Sequence, residues 1–306
     1  MEEDRAERKT FSVTSADIVF PCRPPRSIGL PSGFCGGKKG KKKTMRFIFI
    51  GDVVGKGGRE AVRRLVPDLR REYNAQFVVV NGENSAGGNG LTGACAKELL
   101  QTCDVVTSGD HTWDQKGFDL EIATLDRVIR PANYNRTQPG RGFGVFANPA
   151  GGSVAVIALQ GRVFMKECAS CPFETVDGIL AGLPGYVKTI IVDFHAEATS
   201  EKLAMASYLD GRATAVLGTH THVRTADERI LPGGTAAVTD AGMVGAETSI
   251  LGRGVPEVLK KFTSGMPGRL PVVETGLIRL DGVAVTYDPA TGRASAIEGF
   301  SRRVEI

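Results

Sequence analysis

The chain has 306 residues, 42% hydrophobic and 24% charged, an ordinary globular composition that excludes disorder throughout. Its longest uninterrupted apolar run, Val154 to Leu159, falls far short of the roughly 20 residues that a membrane-spanning helix needs. The formal charge of +4 belongs to the leader: residues 1–44 hold ten Lys/Arg against five Asp/Glu, leaving 28 basic and 29 acidic residues in 45–306, so the body lacks the electrostatic footprint of a nucleic-acid binder.

Residues 1–44 break every periodic pattern with Pro24-Pro25, Gly36-Gly37 and the lysine-rich run 38–43. They are expected to be a disordered leader, a mis-assigned start ahead of Met45, or a basic arm. The fold is expected to be one domain over 45–306. Six cysteines are too few for a disulfide-built scaffold and the Met-Glu-Glu-Asp start carries no secretory signal, so the expected compartment is the reducing cytoplasm.

From Met45 onward, short apolar runs alternate with helical patterns. Phe47–Ile50 reads as a buried strand, followed by a helical stripe of Ala61, Val62, Leu65, Val66 and Leu69. Phe77–Val80, a helix near 92–101 and Val105–Thr107 come next. A second block offers Val154–Leu159, a helix near 174–183, Ile190–Val192, a helix near 200–209 and Ala215–Leu217. This order predicts βαβ units in a mixed α/β fold with two sheets' worth of strands. Leu277–Leu280 and Val283–Tyr287, joined by Asp281-Gly282, are expected to form a hairpin.

Chemistry-bearing residues gather at the downstream ends of the strand-like runs. Asp52 follows the first, Glu83 and Asn84 the second, Asp110 and His111 the third; the later block adds His195, then His220 and His222. All four histidines of the chain lie in these places. In open α/β sheets, the carboxyl edge is where ligands bind. Neighbouring Gly51, Gly82, Gly109 and Gly218 allow sharp turns there. A His, Asp and Glu set without cysteine suits iron, manganese or zinc in a catalytic role. Seven candidate ligands over-supply one ion, and two ions about 3.5–4 Å apart, sharing a carboxylate, suit hydrolysis of phosphate esters.

Gly51-Asp52-Val53-Val54-Gly55, Gly82-Glu83-Asn84-Ser85-Ala86, Gly109-Asp110-His111-Thr112-Trp113-Asp114, Arg130-Pro131-Ala132-Asn133-Tyr134, Gly161-Arg162-Val163, Asp193-Phe194-His195-Ala196-Glu197 and Gly218-Thr219-His220-Thr221-His222 together resemble the YmdB-like branch of calcineurin-type metallophosphoesterases. The resemblance implies an α/β four-layer αββα sandwich, two mixed sheets flanked by helices. It implies that Asp52, Glu83, Asn84 and His222 serve one metal, that Glu83, Asp110, His195 and His220 serve the other, and that Glu83 bridges. A hydroxide shared by the metals would attack phosphorus, and His111 would protonate the leaving oxygen as general acid. The implied substrates are small phosphodiesters, notably 2′,3′-cyclic nucleotides. The second reading from this pattern is a nucleotide-binding regulatory or sensor protein with a slow or inactive metal site; a homo-oligomer is compatible with either.

This chain departs from the branch at Asp110, where the usual residue is Asn. An extra negative charge about 6 Å from a phosphoryl oxygen repels it by roughly 3 kcal/mol at an effective dielectric near 20. Asn133 and Arg162 sit in motif-like loops suited to substrate phosphate, Arg162 through its bidentate fork. Trp113 is expected either to wall a base pocket or to pack internally. Gly51 to Gly57 lacks the spacing and the Ser/Thr of a P-loop. Cys168 and Cys171 have Cys-x-x-Cys spacing, but no further ligand pair completes a zinc site.

Overall fold

The computed structural model describes residues 44–165 and 169–306. The expectations for the leader up to residue 43 and for Cys168 lie outside them.

In chain order the first half comprises β1 (Met45–Ile50), β2 (Asp52–Val53), α1 (Gly55–Glu72), β3 (Phe77–Asn81), α2 (Gly93–Leu99), β4 (Val105–Thr107), α3 (Phe118–Ile122) and β5 (Val128–Ile129). Then come β6 (Phe143–Ala147), β7 (Ser153–Gln160), α4 (Pro172–Gly182), β8 (Thr189–His195), α5 (Thr199–Tyr208) and β9 (Ala215–Thr219). The chain closes with β10 (Arg229–Ile230), β11 (Ala236–Val238), β12 (Met243–Ala246), α6 (Val255–Ser264), β13 (Leu277–Tyr287) and β14 (Ala294–Glu305).

One sheet runs β2-β12-β13-β1-β3-β4-β5, with β14 paired to β13; the other runs β10-β11-β9-β8-β7-β6. β1, β3, β4 and β5 are mutually parallel, as are β7, β8 and β9, so each group presents its C-terminal ends along one edge. Side-chain alternation explains the layers. On β1, Phe47 and Phe49 join Val154, Val156 and Leu217 in a core between the sheets, whereas Ile48 and Ile50 face Ala61, Val62 and Val66 of α1. On β8, Ile191 enters the shared core, while Val192 and Phe194 meet Val176 of α4 and Met205 of α5. The result is helix, sheet, sheet, helix, the expected four-layer αββα sandwich.

The expected hairpin at Asp281-Gly282 is corrected. Leu277–Tyr287 is one unbroken strand, paired along its length with β14, and the chain turns instead at Asp288–Arg293. Asp281 stays in the strand because its buried carboxylate accepts hydrogen bonds from Arg279 Nε at 2.9 Å and Ser301 Oγ at 2.7 Å. Gly282 passes so close to β1 that a Cβ there would stand 2.5 Å from the Phe49 carbonyl oxygen. Among the described residues, α6 contributes none to the three core clusters, and Val258 is its one buried residue.

Candidate metal centre

The parallel register puts the site residues at adjoining strand ends of both sheets. Asp52 opens β2, Glu83 and Asn84 follow β3, Asp110 and His111 follow β4, His195 ends β8, and His220 and His222 follow β9. Glu83, Asp110, His195 and His220 offer ligand atoms that all lie within 4.8 Å of one another, so they form a group able to hold a metal ion. His195 Nε2 is 2.9 Å from Asp110 Oδ1 and 3.2 Å from Glu83 Oε1, and His220 Nδ1 lies 3.0 Å from the same nitrogen. These are the four residues that the resemblance assigns to one metal. Of its other set, Asn84 Nδ2 stands 3.1 Å from both Glu83 Oε1 and His222 Nε2. Gly109 makes the convergence feasible, because a Cβ there would come within 2.2 Å of Glu83 Oε2 and 2.3 Å of the His195 ring.

Electrostatics shows what such a cluster suits. Asp52, Glu83 and His195 are completely buried, and Asp52 Oδ1 has no hydrogen-bond partner. An orphaned carboxylate oxygen in a buried site is costly unless a cation meets it. Burial accordingly pushes the Asp52 carboxyl well above its usual range. Burial also opposes a charge on His195, yet Glu83, Asp110 and Asp52 outweigh it and hold the imidazole protonated well above its ordinary value. Burial works against ionisation of Asp110 too, but the hydrogen bonds from His195 and His220 hold its carboxyl far below the usual range. The donor set fits a hard-to-borderline metal, whose arrival would release the His195 proton.

A supporting layer holds these groups. His195 Nδ1 meets Thr219 Oγ1 at 2.9 Å, and Thr219 Oγ1 donates to Asp193 Oδ1 at 2.7 Å. Asp193 also accepts from Asn81 and Thr107; buried between the sheets, its carboxyl is pushed up to about 6. The loop carrying His220 and His222 has left-handed backbone at both, φ 105° and 63°, a conformation that costs energy in a non-glycine residue. Asp240 compels it by accepting the Thr221 N–H at 3.0 Å and the Thr221 hydroxyl at 2.8 Å, while buried Lys202 neutralises Asp240 at 2.9 Å. Asp52 adds a hold on the His220 N–H at 3.2 Å.

Asn133, Arg162 and Trp113, from the neighbouring motifs, are placed as follows. Asn133 is buried, but its amide ties loops, donating to the Gln160 and Ser170 carbonyls and accepting the Gln160 N–H, and it lines a separate cavity beside α4. Arg162 contributes its backbone N–H to Glu201, and the residue is exposed. Trp113 packs on Phe118 beneath the sheet and donates to Gln138, so it walls no base pocket. Sequence reasoning missed Asp114, whose Oδ2 is 2.8 Å from His111 Nδ1, and Glu197, whose Oε2 is 3.1 Å from His220 Nε2. Both lay inside the recognised motifs. Lys202 had a signal as well: it shares the i, i+3, i+4 buried stripe of α5 with Met205 and Ala206, a place where a lysine needs a buried partner.

Two facing sheets that deliver carboxylates and imidazoles to one shared edge define the metallophosphoesterase class. Within it, the chain belongs to the YmdB-like protein family, which it matches over residues 48–300. A relative from Bacillus subtilis (strain 168), a 2′,3′-cyclic-nucleotide 2′-phosphodiesterase, is 46% identical over 255 residues, covering 83% of this chain and 96% of its own length. A solved structure from Thermus thermophilus superposes with a TM-score of 0.77 at 39% identity, covering 85% of this chain and 99% of that one. A phosphatase structure from Mycoplasma pneumoniae gives 0.79 at 32% identity, covering 86% and 95%.

Proposed function

We propose that residues 45–306 form a metal-dependent phosphodiesterase that hydrolyses 2′,3′-cyclic nucleotides or similarly small phosphodiesters. The observation that carries this reading is the meeting of Glu83, Asp110, His195 and His220 within 4.8 Å, beside the orphaned oxygen of Asp52. Two ions, iron or manganese, would be held by Asp52, Glu83, Asn84 and His222 and by Glu83, Asp110, His195 and His220, with Glu83 common to both. When bound, they would supply Lewis acidity toward the phosphate and water activated at neutral pH.

The remaining steps fall to the chain's own side chains. His111 lines the pocket that contains Glu83, Asn84, His220 and His222, with its Nδ1 turned to Asp114. That contact fixes the ring, leaving Nε2 to give a proton to the ribose oxygen as the P–O bond breaks and the water-derived oxygen joins phosphorus. Glu197 and Asp110 hold the His220 ring between them. The cytoplasm suits this enzyme, since Cys95, Cys103 and Cys171 are free thiols. Elemental analysis of purified protein coupled to a screen of cyclic and linear phosphodiesters tests the reading. Bound transition metal with turnover is expected; metal and tight nucleotide binding with no turnover of any diester would overturn it in favour of a sensor.

A further inference from the structure

The pocket at the cluster, about 430 Å³, has two unlike walls. On one side stand Glu83, Asn84, His111, Glu197, His220 and His222, with Glu197 turned to His220; on the other, Ile250, Leu251, Val258, Phe262 and Leu270, with Arg253 and Lys261 among them. Val258, Lys261 and Phe262 are spaced i, i+3, i+4, so one face of α6 supplies the far wall. Val258 is buried and anchors the helix, yet Phe262 is 79% and Leu251 45% exposed, large apolar surfaces left in water beside a polar centre. Such a patch beside a cleft marks a ligand's apolar portion.

Charge narrows the ligand. Among the described residues neither Arg253 nor Lys261 has a carboxylate partner: Arg253 donates to the carbonyls of Leu270 and Gly88 and to the Asn89 side chain. A wall that is apolar, carries an exposed aromatic face and offers only cationic donors is complementary to a flat heterocycle attached to an anion. The volume admits a mononucleotide.

We propose that this α6 wall is the nucleoside-recognition surface of the enzyme, with Phe262 the specificity-determining residue on which the base stacks. The assignment rests on the phosphodiesterase reading and extends it from the phosphate to the rest of the substrate. Arg253 and Lys261 then lend positive potential to the approach of the anion without touching the metal cluster.

The test compares 2′,3′-cyclic AMP with glycerol 1,2-cyclic phosphate, which presents the same ester without a base. Wild-type enzyme is expected to favour the nucleotide in kcat/KM. In Phe262→Ala the KM for the nucleotide should rise about tenfold, the effect of removing one stacking ring, while kcat, metal content and both constants for the glycerol ester stay put. Phe262→Trp should restore the nucleotide KM. Adenosine should inhibit glycerol-ester turnover competitively in wild type and not in Phe262→Ala. Equal effects on both substrates, or on neither, overturn the wall assignment while leaving the phosphodiesterase intact. A change of oligomeric state in Phe262→Ala with unaltered KM overturns it in favour of a second copy on this face. Wild-type protein that turns over neither ester removes the phosphodiesterase reading itself, and this assignment with it.

Discussion

The two walls of the pocket are built on opposite principles. The metal side is assembled from strand ends of both sheets, and its Asp52, Glu83 and His195 are wholly buried, each steered by bonded neighbours. The α6 side is one amphipathic helix with a single buried residue and an exposed phenyl ring. The first surface must hold reacting groups to within fractions of an ångström and is woven into the core. The second needs only to offer area and charge, and it can vary without loosening the fold.

Substitutions should divide along that line. Glu83→Gln, which removes the carboxylate central to the cluster, should reduce turnover to the rate in buffer and strip metal measured by elemental analysis; retained metal with full activity would erase the distinction between the walls. His111→Ala should lower kcat about 10²–10⁴-fold with metal content unchanged, the usual contribution of a placed general acid. Lys202→Met leaves the buried Asp240 carboxylate without its counter-charge, and chemical denaturation should show a loss of about 3–5 kcal/mol. Thr219→Val cuts the contact to His195 Nδ1, and metal titration should show affinity reduced about 10–100-fold. On α6 but outside the pocket lining, Leu259→Ala, at a side chain 52% exposed, should change stability by no more than about 0.5 kcal/mol.

Acidity separates the walls in a second way. In metal-free protein the folded-state pKa of His195 is raised, so its stabilising contribution is complete below the unfolded value and is lost as pH rises through the folded one. Asp52 and Asp193, also raised, change stability in the same direction, the depressed Glu83 and Asp110 act in the acid range, and the depressed His222 opposes the trend only until its unfolded form has lost its proton near its ordinary value. Melting temperatures of chelator-treated protein should therefore fall above about pH 6.5. Metal binding, which displaces the His195 proton, should tighten over the same interval. A flat profile in the metal-free protein would show that the cluster is not charged as described.

Much of the metal side was legible from residue order. Asp52, Glu83, Asp110, His195, His220 and His222 stand directly after apolar strand runs, and a parallel sheet necessarily collects such positions at one edge. Asn133 and Arg162 show what a loop motif leaves open, namely which partners a side chain takes: the first bonds carbonyl and N–H groups of neighbouring loops, and the second is exposed. The Asp281-Gly282 turn signal lost to tertiary context, since a buried carboxylate with two donors and a close backbone approach favour a straight strand. α6 is absent from the expectations although Val255, Val258, Leu259 and Phe262 carry the period of an amphipathic helix, opened by Pro256 and closed by Gly265. What the pattern does not tell is that most of its apolar face stays exposed beside the pocket.

By itself, then, the sequence determined the alternation of strand and helix, the ligand chemistry and the edge at which it gathers, because these follow from local periodicity and chain direction. Tertiary structure decided how the two sheets face each other, which brought His195 within 3.2 Å of Glu83 across 112 residues of chain. It also decided the left-handed turn at His220 and His222 held by Asp240, and the placing of α6 opposite them. Those arrangements depend on packing between distant segments, which no local pattern encodes.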